Sequence, residues 1–87
     1  MGPEAGAEAD VAVGAVLRRV RERVALTLEA AEEESGISRS VISKTERGEW
    51  PLRVFELGPL AEAYGMTAEE LVTEIAADPE VRTTSTE

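Results

Sequence analysis

Residues 38–48 read S-R-S-V-I-S-K-T-E-R-G, and they hold the side chains in this chain best suited to recognising another molecule. Ser38 can N-cap a helix by accepting a hydrogen bond from a backbone N–H two or three residues on, and Gly48 can end it in the left-handed conformation. Within the helix so bounded, over residues 39–47, Val41, Ile42 and Thr45 recur at the spacing of an inner face, while Arg39, Ser40, Ser43, Lys44 and Arg47 point elsewhere. The outer side is therefore cationic and rich in hydroxyls. Arg, Ser and Lys in the first turns of a presented helix suit phosphate oxygens and base edges in a DNA major groove. A helix this short is not stable alone, so a scaffold must hold it.

That scaffold has 87 residues, enough for one small domain with a modest core. The chain has no cysteine and no histidine, so disulfides, thiol chemistry and the usual zinc ligands are excluded, and no cofactor is expected. Apolar runs fall short of a bilayer span and the first residues lack the order of a signal peptide, so a cytoplasmic protein with no membrane role is expected. The net charge of −9 stands against nucleic-acid binding, which is usually driven by basic surfaces. Its distribution softens that objection. All the basic residues but Arg82 lie between Arg18 and Arg53, whereas residues 56–87 carry eight acids. Between residues 38 and 53, Arg39, Lys44, Arg47 and Arg53 outnumber Glu46 and Glu49. A basic face on an acidic body follows, with weak non-specific DNA binding as its consequence.

Taken in order, residues 1–9 are small, acidic and without apolar period, which predicts a disordered arm. Asp10 can cap a helix over residues 11–24, with Val13, Leu17, Val20 and Val24 facing inward. Thr27 can cap a second helix over 28–35, stopped by Gly36. With the helix over 39–47 it forms two short helices joined by a Gly-containing turn, the helix-turn-helix arrangement whose second helix reads the groove. Pro59 argues against a helix from Arg53, so the fourth helix is predicted over 59–64 with residues 54–57 as a preceding turn. Thr67 and Glu70 form a capping box for a last helix over 68–77, on which Leu71, Val72 and Ile75 share a side. In so small a domain such residues serve core and subunit interface alike, and Leu71, Val72 and Ile75 are together expected to supply the dimer contact. Asp78-Pro79 reads as a stop, leaving residues 78–87 as a flexible tail beyond a DNA-binding domain at 10–77.

From residue 13 to residue 72 the chain resembles the phage-repressor-like helix-turn-helix regulators, the Cro-type or xenobiotic-response-element family. The resemblance rests on L-T-L-E before Gly36, on G-I-S-R-S-V-I-S-K-T-E-R-G-E, and on L-A-E-A-Y-G-M-T-A-E-E-L-V, in that order and spacing. It implies an all-α, compact five-helix lambda-repressor-like DNA-binding domain. At matching positions it implies base contacts by Ser38, Arg39, Ser40 and Lys44, phosphate contacts by Thr27, Ser43, Arg47 and Arg53, and an internal salt bridge between Arg21 and Glu46. Leu28 replaces a glutamine that anchors many members to the DNA backbone. Glu32 replaces an alanine where the two motif helices approach closely, and Ala31, Ser35 and Thr45 replace larger apolar residues. Either Trp50 or Phe55 packs in to fill the space, or Glu32 reaches an edge and meets an arginine.

The expected function is sequence-specific transcriptional regulation, by repression, with a homodimer placing helix 39–47 of each subunit in the major groove of an inverted-repeat operator. A rival reading makes the same fold a protein-interaction module or an antitoxin bound to a partner protein, motivated by the acidic run at 29–34 and the acidic C-terminal third. Catalysis is not expected: no phosphate-binding glycine loop, nucleophile elbow or metal cluster occurs in the sequence.

Overall fold

The computed structural model describes residues 3–85. Six helices follow one another with no strand among the described residues: α1 (Pro3–Arg23), α2 (Leu28–Ser35), α3 (Arg39–Glu46), α4 (Val54–Ala63), α5 (Ala68–Ala77) and α6 (Pro79–Ser85). The core is a single cluster in which Val16, Leu17 and Val20 of α1 meet Ala31 of α2, Ile42 of α3, Leu60, Ala61 and Tyr64 at α4, and Leu71 of α5. α1 packs against α3, α5 and α6, and α2 packs against α3 and α4. The pair α2 and α3 is thereby held from both sides.

Local hydrogen bonds set most of the helix starts. Thr27 Oγ1 accepts from Ala30 N at 3.0 Å, and Ser38 Oγ accepts from Val41 N at 3.3 Å. Thr67 and Glu70 form a reciprocal capping box, with N···O distances of 2.9 and 3.0 Å. Gly36 ends α2 at φ 78°, a left-handed conformation that costs glycine little.

Three boundary expectations are corrected. α1 starts at Pro3, two turns before residue 11, so Asp10 lies inside the helix and residues 3–9 are not a disordered arm. Glu4, Ala5, Ala7, Glu8 and Ala9 are good helix formers, and Pro3 is tolerated at a first helical position. Met1 and Gly2 of that expected arm lie outside the described residues. α4 spans Val54–Ala63 with Pro59 inside it, not residues 59–64. The Glu56 carboxylate accepts from Arg53 N at 3.0 Å and so caps the earlier start. The carbonyl that Pro59 deprives of a partner belongs to Phe55, on an exposed turn where water can serve it. The tail expected at 78–87 is helical over Pro79–Ser85, with residues 86 and 87 outside the described range. Asp78 does stop α5, as expected, but it also caps α6: its Oδ1 accepts from Glu80 N at 2.9 Å and Val81 N at 3.2 Å. Its Oδ2 accepts from Arg19 at 3.0 Å, tying the start of α6 to α1. These hydrogen bonds, led by that from Val81, hold the Asp78 carboxyl below its ordinary range.

Gly14 is where α1 comes closest to the end of α3. A Cβ there would meet the carbonyl oxygens of Thr45 and Glu46 and come 2.7 Å from Glu46 C. These are backbone atoms, so α3 itself must move. Gly14→Ala should destabilise the fold by about 1–3 kcal/mol in urea unfolding, despite alanine's better helix propensity. A variant as stable as the parent would mean that the two helices can separate freely.

Candidate nucleic-acid interface

Burial divides α3 into two sides, with Val41, Ser43 and Lys44 half-buried between them. Ile42, Thr45 and Glu46 are buried, and Arg39, Ser40 and Arg47 are exposed. Arg39, Ser43 and Arg47 form one row at four-residue spacing, with Ser40 and Lys44 in the next. The inner side is fixed by more than apolar contact. Arg21 of α1 donates from Nε and Nη2 to the two Glu46 oxygens at 2.7 and 3.0 Å, and from Nη1 to the Leu26 carbonyl at 2.7 Å. One guanidinium thus joins α1, the turn into α2 and the end of α3. The Glu46 hydrogen bond pushes the Arg21 pKa up, against an opposing push from burial. Tyr64 packs nearby, its hydroxyl buried with no hydrogen-bond partner among the described residues. Burial, with the Glu46 charge, drives that phenol above its ordinary range.

The outward cations all have internal company. Arg39 Nη1 lies 3.0 Å from Glu29 Oε2, and its Nε lies 3.9 Å from Glu32 Oε1. Glu32, whose side chain is 42% exposed, therefore reaches an edge and meets an arginine rather than intruding between the helices. Arg47 Nε donates to Glu49 at 2.9 Å and its Nη1 to Ser43 Oγ at 2.6 Å. The Arg47 hydrogen bond holds the Glu49 carboxyl below its ordinary range. Lys44 Nζ sits 4.6 Å from the centre of the Trp50 ring, and the Arg53 guanidinium lies 5.6 Å from Trp50 and 5.9 Å from Phe55. Such contacts hold a cation weakly at a surface, within reach of a stronger anion.

Ser38, Arg39, Ser40 and Lys44 sit at the start and along the outer rows of α3, and Ser43 and Arg47 continue them. Thr27 lies at the start of α2 and Arg53 at the start of α4. Trp50 and Phe55 do not fill the space between α2 and α3. They are 36% and 71% exposed and lie at the surface beside Lys44 and Arg53. The pairings of Glu29 with Arg39 and of Glu49 with Arg47 are additional to the sequence expectations; the spacing Arg47-x-Glu49 is a local signal for the second, whereas the first depends on how α2 and α3 cross.

Leu71, Val72 and Ile75 do not share one role. Leu71 is 0% exposed, packed within a single chain, so its expected place in a subunit interface is corrected. Val72 is exposed and, with the partly buried Ile75, lines a shallow apolar groove that also includes Val13, Leu52, Leu57 and Val81.

Comparison with known proteins agrees with this geometry. Residues 12–73 match the family model described as a helix-turn-helix domain. An uncharacterised HTH-type transcriptional regulator, y4dJ, from Sinorhizobium fredii (strain NBRC 101917 / NGR234) is 41% identical over 61 residues, covering 70% of this chain and 79% of the relative. The crystal structure of the clp gene regulator ClgR from C. glutamicum superposes with a TM-score of 0.68 at 29% identity, over 78% of this chain and 88% of that one.

Proposed function

The chain belongs to the helix-turn-helix domain family of regulators, and from that premise we propose that it is a sequence-specific DNA-binding repressor of the Cro-type, lambda-repressor-like class. α3 enters the major groove, with Ser38, Arg39, Ser40 and Lys44 facing base edges. Thr27, Ser43, Arg47 and Arg53 hold flanking phosphates and set the register. The observation that carries this reading is the two-sided build of α3: a buried face locked by Arg21–Glu46 and an outward face of hydroxyls and cations. Its work is binding alone, without catalysis or a cofactor. It acts in the cytoplasm; among the described residues no helix is long and apolar enough to cross a membrane.

A homodimer, joined through Val72, Ile75 and the groove they line, would present two copies of α3 about one helical turn apart. The operator is then an inverted repeat with half-sites about 10 base pairs apart. Arg39→Ala or Lys44→Ala should each weaken binding by roughly 1–3 kcal/mol and relax preference at one base position. The measurement is a binding titration on a duplex selected from a randomised pool and on its scrambled counterpart. Equal loss on both duplexes would make that residue a phosphate contact. Failure of the parent protein to discriminate the two at any salt would instead favour a protein-binding module, the reading that the acidic segment at 29–34 supports.

A further inference from the structure

Arg39 is the first residue of α3, and both carboxylates beside it come from α2: Glu29 at 3.0 Å from Nη1 and Glu32 at 3.9 Å from Nε. All three side chains are solvent-exposed, with 57%, 68% and 42% of their surface accessible. Exposed pairs of this kind add little to folding. Their consequence lies in where they hold the guanidinium. We propose that Glu29 and Glu32 are positioning residues for Arg39 that set the ratio of specific to non-specific DNA binding. This rests on the groove-reading role of α3 proposed above.

Donors and charge separate the two kinds of encounter. A guanidinium has five N–H donors, so contacts at Nη1 and Nε leave donors for a guanine edge. Arg39 can therefore read a base while the carboxylates stay beside it. Engaging a phosphate is different. It brings an anion up to a guanidinium that already has two carboxylates beside it, so the phosphate must either displace them or bear their repulsion, whereas a neutral guanine edge meets neither cost. That cost falls on any duplex where Arg39 finds no matching base, which is the general case for non-specific DNA. Glu33 and Glu34 lie on the same helix and are exposed, but no ion pair joins them to Arg39.

The test compares the parent, Glu29→Gln/Glu32→Gln and the charge-matched Glu33→Gln/Glu34→Gln on the selected duplex and its scrambled counterpart across a salt series. Thermal melts establish that each variant is folded. The first double variant should bind scrambled DNA roughly three- to tenfold more tightly, the range expected from releasing two exposed ion pairs. Its specific affinity should rise less or fall, so the ratio drops. Its salt slope on scrambled DNA should steepen by about one, as Arg39 becomes an additional phosphate contact. In an Arg39→Ala background the same substitutions should leave the ratio unchanged. An equal effect from Glu33→Gln/Glu34→Gln would reduce the matter to net charge and overturn the proposal, as would an unaltered ratio in a parent that discriminates its duplexes. If neither parent nor variant binds either duplex, the groove-reading function falls together with it.

Discussion

Glu46→Ala should remove about 3–5 kcal/mol of folding stability, the largest loss expected from any single polar substitution in this chain. The Glu46 and Arg21 side chains are 5% and 10% exposed, and two hydrogen bonds join them across 25 residues of sequence. Deleting the acid leaves a buried cation whose remaining contact is the Leu26 carbonyl. At about 4–8 °C per kcal/mol for a domain of this size, the melting temperature should drop by roughly 12–40 °C. Arg21→Ala should cost a comparable amount. The joint replacement Arg21→Met/Glu46→Leu should recover much of the loss, because neither charge is then stranded. The raised Arg21 pKa means that the arginine's contribution is complete below its ordinary unfolded value and is lost only as pH rises through the still higher folded one. Arg21 titration therefore adds no acid sensitivity. Urea unfolding followed by circular dichroism reads all of these effects. A Glu46→Ala loss below about 1 kcal/mol would mean that water already reaches the pair.

Substitution at neighbouring positions of α5 should separate folding from association. Leu71→Glu places a carboxylate among Leu17, Val20 and the other core residues with no cation described beside it, and the expected product is an unfolded chain. Leu71→Ala should cost about 2–5 kcal/mol through lost burial and the cavity left behind. Val72→Glu alters a side chain that is 44% exposed, so the helical signal and melting temperature should stay near those of the parent. If the groove beside Val72 and Ile75 joins two subunits, that variant should sediment as a monomer where the parent is a dimer. A dimer that survives Val72→Glu would place the interface elsewhere. A folded Leu71→Glu protein would contradict the core described above.

The same contrast explains what could be read before any coordinates. Thr27, Ser38 and the Thr67–Glu70 box act on backbone groups within three residues, so residue type and spacing were enough to locate the starts of α2, α3 and α5. Asp78-Pro79 ends α5 as its residue types predict, but whether a tail or a new helix capped by Asp78 follows is not set by the pair itself. The choice was made by Val81 packing on the core and Arg19 reaching Asp78 from α1. Pro59 misled for a related reason: a missing N–H is costly only when the orphaned carbonyl is buried, and solvent exposure is a tertiary property. Arg21 and Glu46 were paired through family resemblance, since no period links positions 25 apart.

By itself, the sequence determined the order of the helices from α2 to α5, the caps that start α2, α3 and α5, and the cationic, hydroxylated row along α3. Each of these follows from hydrogen bonds or spacings that span a few residues. Only the tertiary structure decided that Leu71 is core while Val72 is surface, that Glu29 and Glu32 stand beside Arg39, and that Trp50 and Phe55 remain outside with Lys44 and Arg53. Those outcomes depend on how closely and at what angle two helices cross, which small residues such as Gly14 and Ala31 permit but no local pattern specifies.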